Sequence, residues 1–264
     1  MNENYLGNPN LKRSNVNINY TKEQLEEYIK CAKDPVYFIE EYIQIVNVDK
    51  GLVPFKLYNF QNEMVTAFQK ERFVINKLPR QSGKSTTVTA YMLWLILFHD
   101  TQSIAILANK GSLARDLLGK IQLAYEHLPK WLQQGIVVWN KGNIELENGS
   151  KILASATSSS AIRGGSFNLI FLDEFAFVSN NIAENFFASE ELMPSIIEKC
   201  WVNSSAPNAP SNMLKEICMD SSSDSAPVIK GSCIVVPGLG LPCILNLSSF
   251  VFHVVKSPSI THAS

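Results

Sequence analysis

Residues 77–95 read KLPRQSGKSTTVTAYMLWL, and this stretch decides the fold class. The apolar segment that leads into it, residues 72–78, is typical of a buried strand, and Thr86–Phe98 is typical of a mostly apolar helix. Gly83 permits a sharp turn between the two, so that backbone N–H groups and the positive end of the helix can face one anion. The order strand, glycine turn, helix therefore predicts an α/β protein with an anion-binding loop.

The loop departs from the common phosphate-binding pattern G-x-x-x-x-G-K-[ST] at its first position, where Leu78 replaces glycine. Pro79 fixes φ at the opening turn, and Arg80 projects from inside the loop, where it could reach a γ-phosphate. Lys84 adds a charge for the β- and γ-phosphates, and the Ser85 hydroxyl suits Mg²⁺. A chance Gly-Lys-Ser in a surface turn is the alternative, but the strand before it and the helix after it favour a nucleotide loop.

The whole chain has the composition of a soluble, core-forming protein, with 264 residues of which 46% are apolar and 18% charged. A net charge of −1 gives no overall attraction to nucleic acid or to an anionic membrane, so such contacts would need a local patch. The polar N-terminus lacks an apolar signal core, and the longest apolar run, Tyr91–Phe98, is too short to span a bilayer. We therefore expect a cytoplasmic protein.

The first part of the chain is predicted to be a flexible, Asn-rich lead over residues 1–20, followed by helices. Thr21 is the predicted N-cap of a helix over residues 22–32, and Gln24 completes a capping box with it. Beyond it the sequence predicts a second helix that starts from Pro35 and continues over residues 36–45, and a turn or loop over residues 51–54.

Further along, short apolar runs alternate with helical stretches. The predicted buried strands are residues 72–78, 103–109 and 168–174, and a second amphipathic helix is predicted over residues 111–128. The segments GIVVWN and NIELENGSKILASA are typical of antiparallel strands, with Asn148-Gly149 as a hairpin turn. This order predicts a mainly parallel, doubly wound sheet with flanking helices and an antiparallel hairpin insertion.

Two carboxylates, Asp173 and Glu174, follow the apolar run Leu169–Leu172 and form a second candidate site. Acidic residues at the carboxyl end of a central strand lie where open α/β sheets bind ligands. Asp173 can hold Mg²⁺, and Glu174 can polarise an attacking water as a general base. An ordinary strand end with solvated charges is the alternative, and the phosphate loop about 90 residues earlier favours the catalytic interpretation.

Two other segments give weaker signals. In KLYNFQNEMV (56–65), Gln61 could present its amide to the edge of adenine, with Tyr58 or Phe60 packed on the base. For the aromatic residues, the core face of a helix is an equally good interpretation. In SSSAIRGGSFN, Arg163 could sense phosphate or reach a neighbouring subunit, or it could be a solvated arginine in a flexible loop.

Taken together, these segments resemble the large subunit of the terminase of tailed phages, especially of myoviruses, the ATPase motor that packages viral DNA. The resemblance covers about residues 20–188. DPVYFIEEYIQIVNVDKGLVPFKLYNFQNEM is similar to the adenine-side segment of that family, and LPRQSGKST is similar to its deviant Walker A motif, which lacks the leading glycine. LIFLDEFAFV is similar to its Walker B motif with the following catalytic glutamate.

The resemblance implies a P-loop NTPase fold of the additional-strand type, with ATP and Mg²⁺ as cofactors and a homo-oligomeric ring at a portal vertex. It implies catalysis by Glu174, assisted by Arg80, and Mg²⁺ bound by Ser85 and Asp173. The implied ATP-binding residues are Gln61, Arg80, Gln81, Ser82, Gly83, Lys84, Ser85 and Thr86. The implied partners are double-stranded DNA, a portal protein and a small terminase subunit, in the host cytoplasm and transiently at the procapsid portal.

The sequence departs from the family pattern after residue 188. The family leads us to expect another buried strand that ends in a Ser/Thr-Thr-Pro-x-Gly-like motif, and then a nuclease domain; the sequence suggests neither. Seven of the twelve prolines lie in residues 190–264, which are also rich in serine. We therefore expect a truncated terminase-like ATPase domain over residues 21–188 and an unmatched tail over 189–264, disordered or fused, without nuclease activity.

Two alternatives to an active packaging ATPase stay open at this point. The chain could be a truncated or chimeric ATPase fragment without catalytic activity, because a missing strand would leave an exposed sheet edge. It could also be a helicase-like translocase, although that would need a second ATPase-like domain.

Overall fold

The computed structural model describes residues 3–47, 49–158, 165–179, 197–204 and 233–235. The α-helices in these ranges are α1 (Lys22–Lys33), α2 (Pro35–Tyr42), α3 (Asn59–Lys70), α4 (Lys84–Phe98) and α5 (Gly111–Glu126). Short 3₁₀ turns lie at Tyr5–Gly7, Lys130–Leu132 and Phe175–Phe177. In the described ranges, every helix is too short or too polar to cross a membrane.

The strands form two sheets. A small antiparallel sheet consists of β1 (Gln44–Asn47) and β2 (Gly51–Pro54). The main sheet contains β3 (Phe73–Lys77), β4 (Ser103–Ala108), β5 (Ile136–Trp139), β6 (Asn143–Leu146), β7 (Lys151–Ala156), β8 (Phe167–Asp173), β9 (Ile197–Ser204) and β10 (Cys233–Val235). Its order is β10-β3-β9-β8-β4-β7-β6-β5. All pairs from β10 to β7 are parallel, and β7-β6 and β6-β5 are antiparallel.

The predicted fold class is confirmed. The sheet is mainly parallel and helices pack against it. The antiparallel hairpins lie at one side, where β6 and β5 extend the sheet beyond the parallel strand β7. The turn between β6 and β7 contains Asn148-Gly149, and Gly149 has the positive φ of 79° that favours glycine there. The Asn148 side chain also donates to the carbonyl oxygen of Ile96, which ties this turn to the end of α4.

One expectation about the sheet is wrong. The composition after residue 188 predicts no further buried strand, yet residues 197–204 form β9. β9 lies in the middle of the sheet, parallel to β3 on one side and to β8 on the other. The expected domain limit at residue 188 therefore falls too early. The signal was hidden because prolines and serines dominate the surrounding composition, whereas the partners of this strand lie far away in the sequence.

The core lies between the main sheet and its helices. Every residue of β4 is buried, as expected for an inner strand of a parallel sheet with both faces covered. α4 is buried around most of its circumference and packs against α2, α3 and α5. A helix that is apolar on all sides is stable only in such a place, which explains the run of apolar residues from 90 to 98.

The start of the chain also differs from the prediction of a flexible lead over residues 1–20. Residues 3–15, which we call the N-terminal arm, pack against the β5 edge of the main sheet. Leu11 is buried, and the Ile136 N–H donates to the Lys12 carbonyl oxygen. The buried Gln133 amide accepts from the Lys12 N–H and donates to the Asn10 carbonyl oxygen. Polar composition alone was a poor guide, because these partners lie more than 120 residues away.

Near the N-terminus, the structure confirms the predicted helix starts but contains two strands that the sequence does not predict. α1 begins after Thr21 with the predicted capping box, in which Thr21 and Gln24 bond each other's backbone N–H groups. α2 begins at Pro35, as predicted, but it ends at Tyr42. Residues 44–47 and 51–54, which were predicted as helix end and loop, are strands β1 and β2. Two such short strands give too little periodicity to be recognised.

Candidate active site

The candidate site lies at the carboxyl ends of β3, β9 and β8, three adjacent parallel strands. The loop from Leu78 to Gly83 leaves β3 and enters α4, whose first residue is Lys84. Asp173 is the last residue of β8, and Glu174 follows it. The two groups of predicted residues, separated by about 90 positions in the sequence, therefore meet at one edge of the sheet.

Gly83 is required at the turn into α4 for two reasons. Its φ of 76° lies in the left-handed region, which costs other residues conformational energy. A Cβ atom at this position would also lie 2.6 Å from Nε2 of Gln61. That Nε2 donates to the Ser82 carbonyl oxygen at 3.1 Å, and Oε1 of Gln61 accepts from the Tyr58 N–H at 2.9 Å. The buried Gln61 amide thus holds the loop against the start of α3.

Two pairs of side chains join the halves of the site. The Ser85 hydroxyl donates to Oδ1 of Asp173 at 3.3 Å. The Lys84 ammonium lies 3.2 Å from Oε1 of Glu174, in an ion pair that is mostly shielded from solvent. Glu174 itself has a φ of 50°, an unusual backbone conformation for a residue with a side chain. Such strain is often found where a functional side chain must be aimed in one direction.

The electrostatics of Asp173 are set by its position inside the sheet. Burial raises the pKa of this carboxyl, and the neighbouring charge of Glu174 raises it further. Hydrogen bonds from Asn203 and Ser85 and the charge of Lys84 act in the opposite direction without cancelling the effect. A divalent cation next to the carboxylate would offset the cost of ionising it in this place.

Two asparagines also belong to this site, although no motif in the sequence predicts them. Asn203 on β9 donates from Nδ2 to Oδ1 of Asp173 at 3.3 Å. Asn76 on β3 donates from Nδ2 to Oδ1 of Asn203 at 3.0 Å. Both side chains are fully buried. Each asparagine is the second-last residue of its strand, and only the strand order shows that the two amides are neighbours.

The other residues predicted to bind ATP make fewer contacts with the rest of the site. Arg80 and Gln81 are exposed, and Gln81 has a left-handed φ of 63°. Oγ of Ser82 is buried without a hydrogen-bond partner in the described part of the chain. Thr86 is half-buried in the first turn of α4, where its carbonyl oxygen accepts from the Thr89 hydroxyl.

The aromatic residues near Gln61 divide between surface and core. Tyr58 is 69% exposed, and its ring stacks on Phe60 with a centroid distance of 5.9 Å and an angle of 8°. Met64, on the same helix, is buried in the core. The interpretation of all these residues as one core face is therefore wrong for Tyr58. Arg163, the weaker candidate, lies outside the described residues.

The residues at this edge suit a metal-bound phosphate group. The Ser85 hydroxyl and the Asp173 carboxylate are hard oxygen donors, the kind that Mg²⁺ prefers. Lys84 places a buried cation at the N-terminus of a 15-residue helix. A buried polar atom without a partner, such as Oγ of Ser82, is expected where a ligand supplies the partner.

The fold and this edge define a mixed α/β protein with a mostly parallel sheet and a candidate ligand site at the carboxyl ends of its central strands. A protein-family model described as "Terminase large subunit, T4likevirus-type, N-terminal" matches residues 76–219, which is more than half of the chain. The chain belongs to this family. The match includes β9 and extends past the expected domain limit at residue 188.

Several solved structures are similar to this chain. The large terminase of bacteriophage HK97 has 18% sequence identity and a TM-score of 0.55; the match covers 72% of this chain and 41% of that one. The large terminase ATPase domain of Thermus phage P74-26 has 14% identity and a TM-score of 0.43, over 57% of this chain and 65% of that one. The UvsW helicase of bacteriophage T4 has 11% identity and a TM-score of 0.46, over 71% and 64%.

Proposed function

We propose that this chain is a Mg²⁺-dependent, ATP-hydrolysing motor domain of the DNA-packaging type. One observation supports it above all: the loop before α4 and the carboxylates after β8 meet in two pairs, Ser85 with Asp173 and Lys84 with Glu174. A phosphate-binding cation, a metal-binding hydroxyl and two carboxylates are the groups that phosphoryl transfer to water requires. Membership of the terminase large-subunit family supports the same reaction.

In this proposal the loop binds the phosphates of ATP. The left-handed Gly83 lets backbone N–H groups approach the anion closely, and the N-terminus of α4 adds its positive end. Lys84 binds the β- and γ-phosphates, and Ser85 and Asp173 would hold Mg²⁺. The metal, when bound, neutralises charge that develops on the phosphate oxygens. The loop thus corresponds to a Walker A motif that begins with Leu78, and β8 to a Walker B motif.

Glu174 is the proposed general base. Its carboxylate follows the strand that presents Asp173, so it lies beside the proposed metal position without needing to bind the metal. In the structure it pairs with Lys84, and a phosphate group would compete for that ammonium. Released from the pair, Glu174 can accept a proton from the attacking water. Arg80, exposed on the loop, is free to turn toward the γ-phosphate and assist.

The base of ATP is assigned to the start of α3. Tyr58 and Phe60 offer stacked aromatic rings next to Gln61, and the exposed face of Tyr58 can receive adenine. Because Gln61 already donates to the Ser82 carbonyl oxygen, an adenine that bonds this amide would be sensed directly by the phosphate loop. The remaining assigned contacts come from the loop, Gln81 and Ser82, and from Thr86 on α4.

The wider role follows from the family alone. The chain spans 41% of the length of the HK97 large terminase it matches, so the activity and partners of a whole terminase are proposals for this chain. The proposed partners are double-stranded DNA, a portal protein and a small terminase subunit. The proposed assembly is a homo-oligomeric ring at the procapsid portal, in the host cytoplasm. The alternative of an inert fragment was favoured by a missing strand and an exposed sheet edge, and β9 supplies a further strand between β3 and β8.

An ATPase assay on the purified chain beside its Glu174→Gln variant tests the proposal. The unmodified chain should release phosphate from ATP only when Mg²⁺ is present. The variant should still bind ATP but turn over about 10²–10⁴-fold more slowly, as expected when a general base is removed. Turnover of the variant within a few-fold of the unmodified chain would exclude Glu174 as the base. Absence of any Mg²⁺-dependent hydrolysis by the unmodified chain would refute the enzyme itself.

A further inference from the structure

Three polar side chains lie in one row across the centre of the sheet. In the register of the parallel strands, Asn76 on β3 is the partner of Asn203 on β9, and Asn203 is the partner of Asp173 on β8. Their side chains are joined in the same order, with hydrogen bonds of 3.0 Å and 3.3 Å. The row ends at the Ser85 hydroxyl, 3.3 Å from Asp173.

The direction of these hydrogen bonds is dictated by the carboxylate. An ionised carboxylate can only accept, so Asn203 must present its NH₂ group to Asp173. The carbonyl oxygen of the same amide then faces Asn76, which must present its own NH₂ group in turn. Because both amides are fully buried, water cannot replace either donor. The orientation of Asn203 is thus fixed from the strand that leads into the phosphate loop.

The row of buried amides destabilises the fold in one respect. Oδ1 of Asn76 is buried and has no hydrogen-bond partner in the described part of the chain. Leaving an acceptor in this condition destabilises the fold, and an aliphatic residue would suit the interior of a parallel strand better. A buried polar group that weakens the fold is a candidate for a role at the adjacent site.

We propose that Asn76 is a positioning residue for the Asp173 carboxylate and acts through the Asn203 amide. Asn76 holds the Asn203 amide in the orientation that donates to Oδ1 of Asp173. With that oxygen held by Asn203 and Ser85, the carboxylate has one fixed plane and can direct its remaining lone pairs to a cation. The row also links the strand of the phosphate loop to the strand of the acidic residues.

This inference rests on the proposed function, because it assigns a role toward the Mg²⁺ that Ser85 and Asp173 would hold. Asn76 touches neither nucleotide nor metal, yet its loss should weaken the contribution of the metal to nucleotide binding. Residues that orient a metal ligand in this way typically change metal affinity about 10–100-fold when they are replaced.

The test measures the dissociation constant of ATP in Mg²⁺ and in EDTA for the full chain and its variants. The ratio of the two constants is the metal enhancement. Asn76→Leu, which keeps the branching at Cγ and removes the donor, should lower this enhancement about tenfold and leave the constant in EDTA unchanged. Asn76→Ala gives the same readout without the risk of overpacking, should the leucine variant fail to fold.

A double-mutant cycle tests whether Asn76 acts through Asn203. Asn203→Leu should also lower the metal enhancement, and adding Asn76→Leu to it should cause no further loss. Asn168→Ala is the matched control: it removes a side-chain amide that accepts from the Ser103 N–H at the opposite end of β8. It should lower the melting temperature without changing the metal enhancement.

The outcomes separate this inference from the function on which it rests. If the unmodified chain binds ATP equally well in Mg²⁺ and in EDTA, the proposed metal site fails, and the positioning role with it. If the unmodified chain shows the enhancement and both Asn76 variants stay within about twofold of it, only the positioning role is overturned. Additive losses in the double variant would overturn the route through Asn203.

Discussion

The ammonium of Lys84 lies 3.2 Å from the carboxylate of Glu174, and the two come from opposite halves of the candidate site. The roles proposed for them are separate, phosphate binding for one and activation of water for the other. In the structure the Lys84 and Glu174 side chains neutralise each other's charge, and both are mostly shielded from solvent. A triphosphate that takes over Lys84 would therefore also make Glu174 available, so that substrate binding and base activation are one event.

Replacing Lys84 should weaken nucleotide binding itself. A hydrogen bond to a charged group contributes about 1.5–3 kcal/mol, so Lys84→Ala should raise the dissociation constant of ATP about tenfold to a hundredfold. Titration of a fluorescent ATP analogue measures it. Lys33→Ala, at the exposed end of α1, removes the same charge and should leave the affinity unchanged. Undiminished affinity in Lys84→Ala would argue against the loop as the phosphate site.

Gly83 and Gly119 should respond in opposite ways to the same substitution. Gly83→Ala places a side chain at a φ of 76° and a Cβ atom against Gln61, so we expect a loss of about 1–3 kcal/mol in unfolding free energy. Gly119→Ala, in α5 with open space around it, should add about 0.4–1 kcal/mol. Urea denaturation of both variants measures the difference. Equal stability of the two would contradict the described turn.

Gln133 is expected to hold the N-terminal arm in place. Its buried amide accepts from the Lys12 N–H and donates to the carbonyl oxygens of Asn10, Tyr125 and Leu128. Gln133→Ala should release the arm, and trypsin should then cleave after Lys12 much faster than in the unmodified chain. Gln122→Ala serves as the control, because that amide makes an exposed bond to the Asn140 carbonyl oxygen. Equal cleavage rates in all three chains would contradict a docked arm.

Glu147 should make the attachment of the arm sensitive to acid. Burial raises the pKa of this carboxyl, but the Gly135 and Asn15 N–H groups and the charge of Lys12 outweigh burial and bring the pKa below its ordinary value of 4.5. A carboxyl with a lowered folded-state pKa stabilises the fold above the unfolded value, and this contribution is lost as the pH falls through the folded value.

The expected result is a loss of stability below about pH 4.5 that Glu147→Gln lacks. Thermal melting of both chains between pH 3 and 7 measures it. The variant should already be less stable at neutral pH, because its amide cannot form the ion pair with Lys12. Parallel melting curves for the two chains over the whole range would show that Glu147 does not control acid unfolding.

Much of the fold could be predicted because the decisive signals are local. A capping box at Thr21, a glycine turn before an apolar helix and an Asn-Gly turn each specify backbone geometry within a few residues. The N-terminal arm and β9 have no comparable local signal. The arm depends on Gln133 and Glu147, and β9 depends on partners in β3 and β8. Pairings over such distances leave no period in the sequence.

In the candidate site, the residues that belong to recognisable sequence motifs could be predicted, and the residues outside such motifs could not. The sequence pointed to Lys84, Ser85, Asp173 and Glu174, and the structure brings these four together. Asn76 was overlooked because a single asparagine inside an apolar run has no pattern. Its importance follows only from register, which places it level with Asn203 and Asp173.

The position of β9 determines how a newly made chain can mature. β3 emerges from the ribosome early, yet both strands that pair with it in the described part of the chain, β9 and β10, are synthesised after residue 196. Until then, β3 and β8 have no strand to join them, and the edges of both are open to chaperones or to other nascent chains. Translation that stops before Ile197 would yield a polypeptide without the strand that joins β3 to β8, and so without the sheet contact that places the two halves of the candidate site side by side.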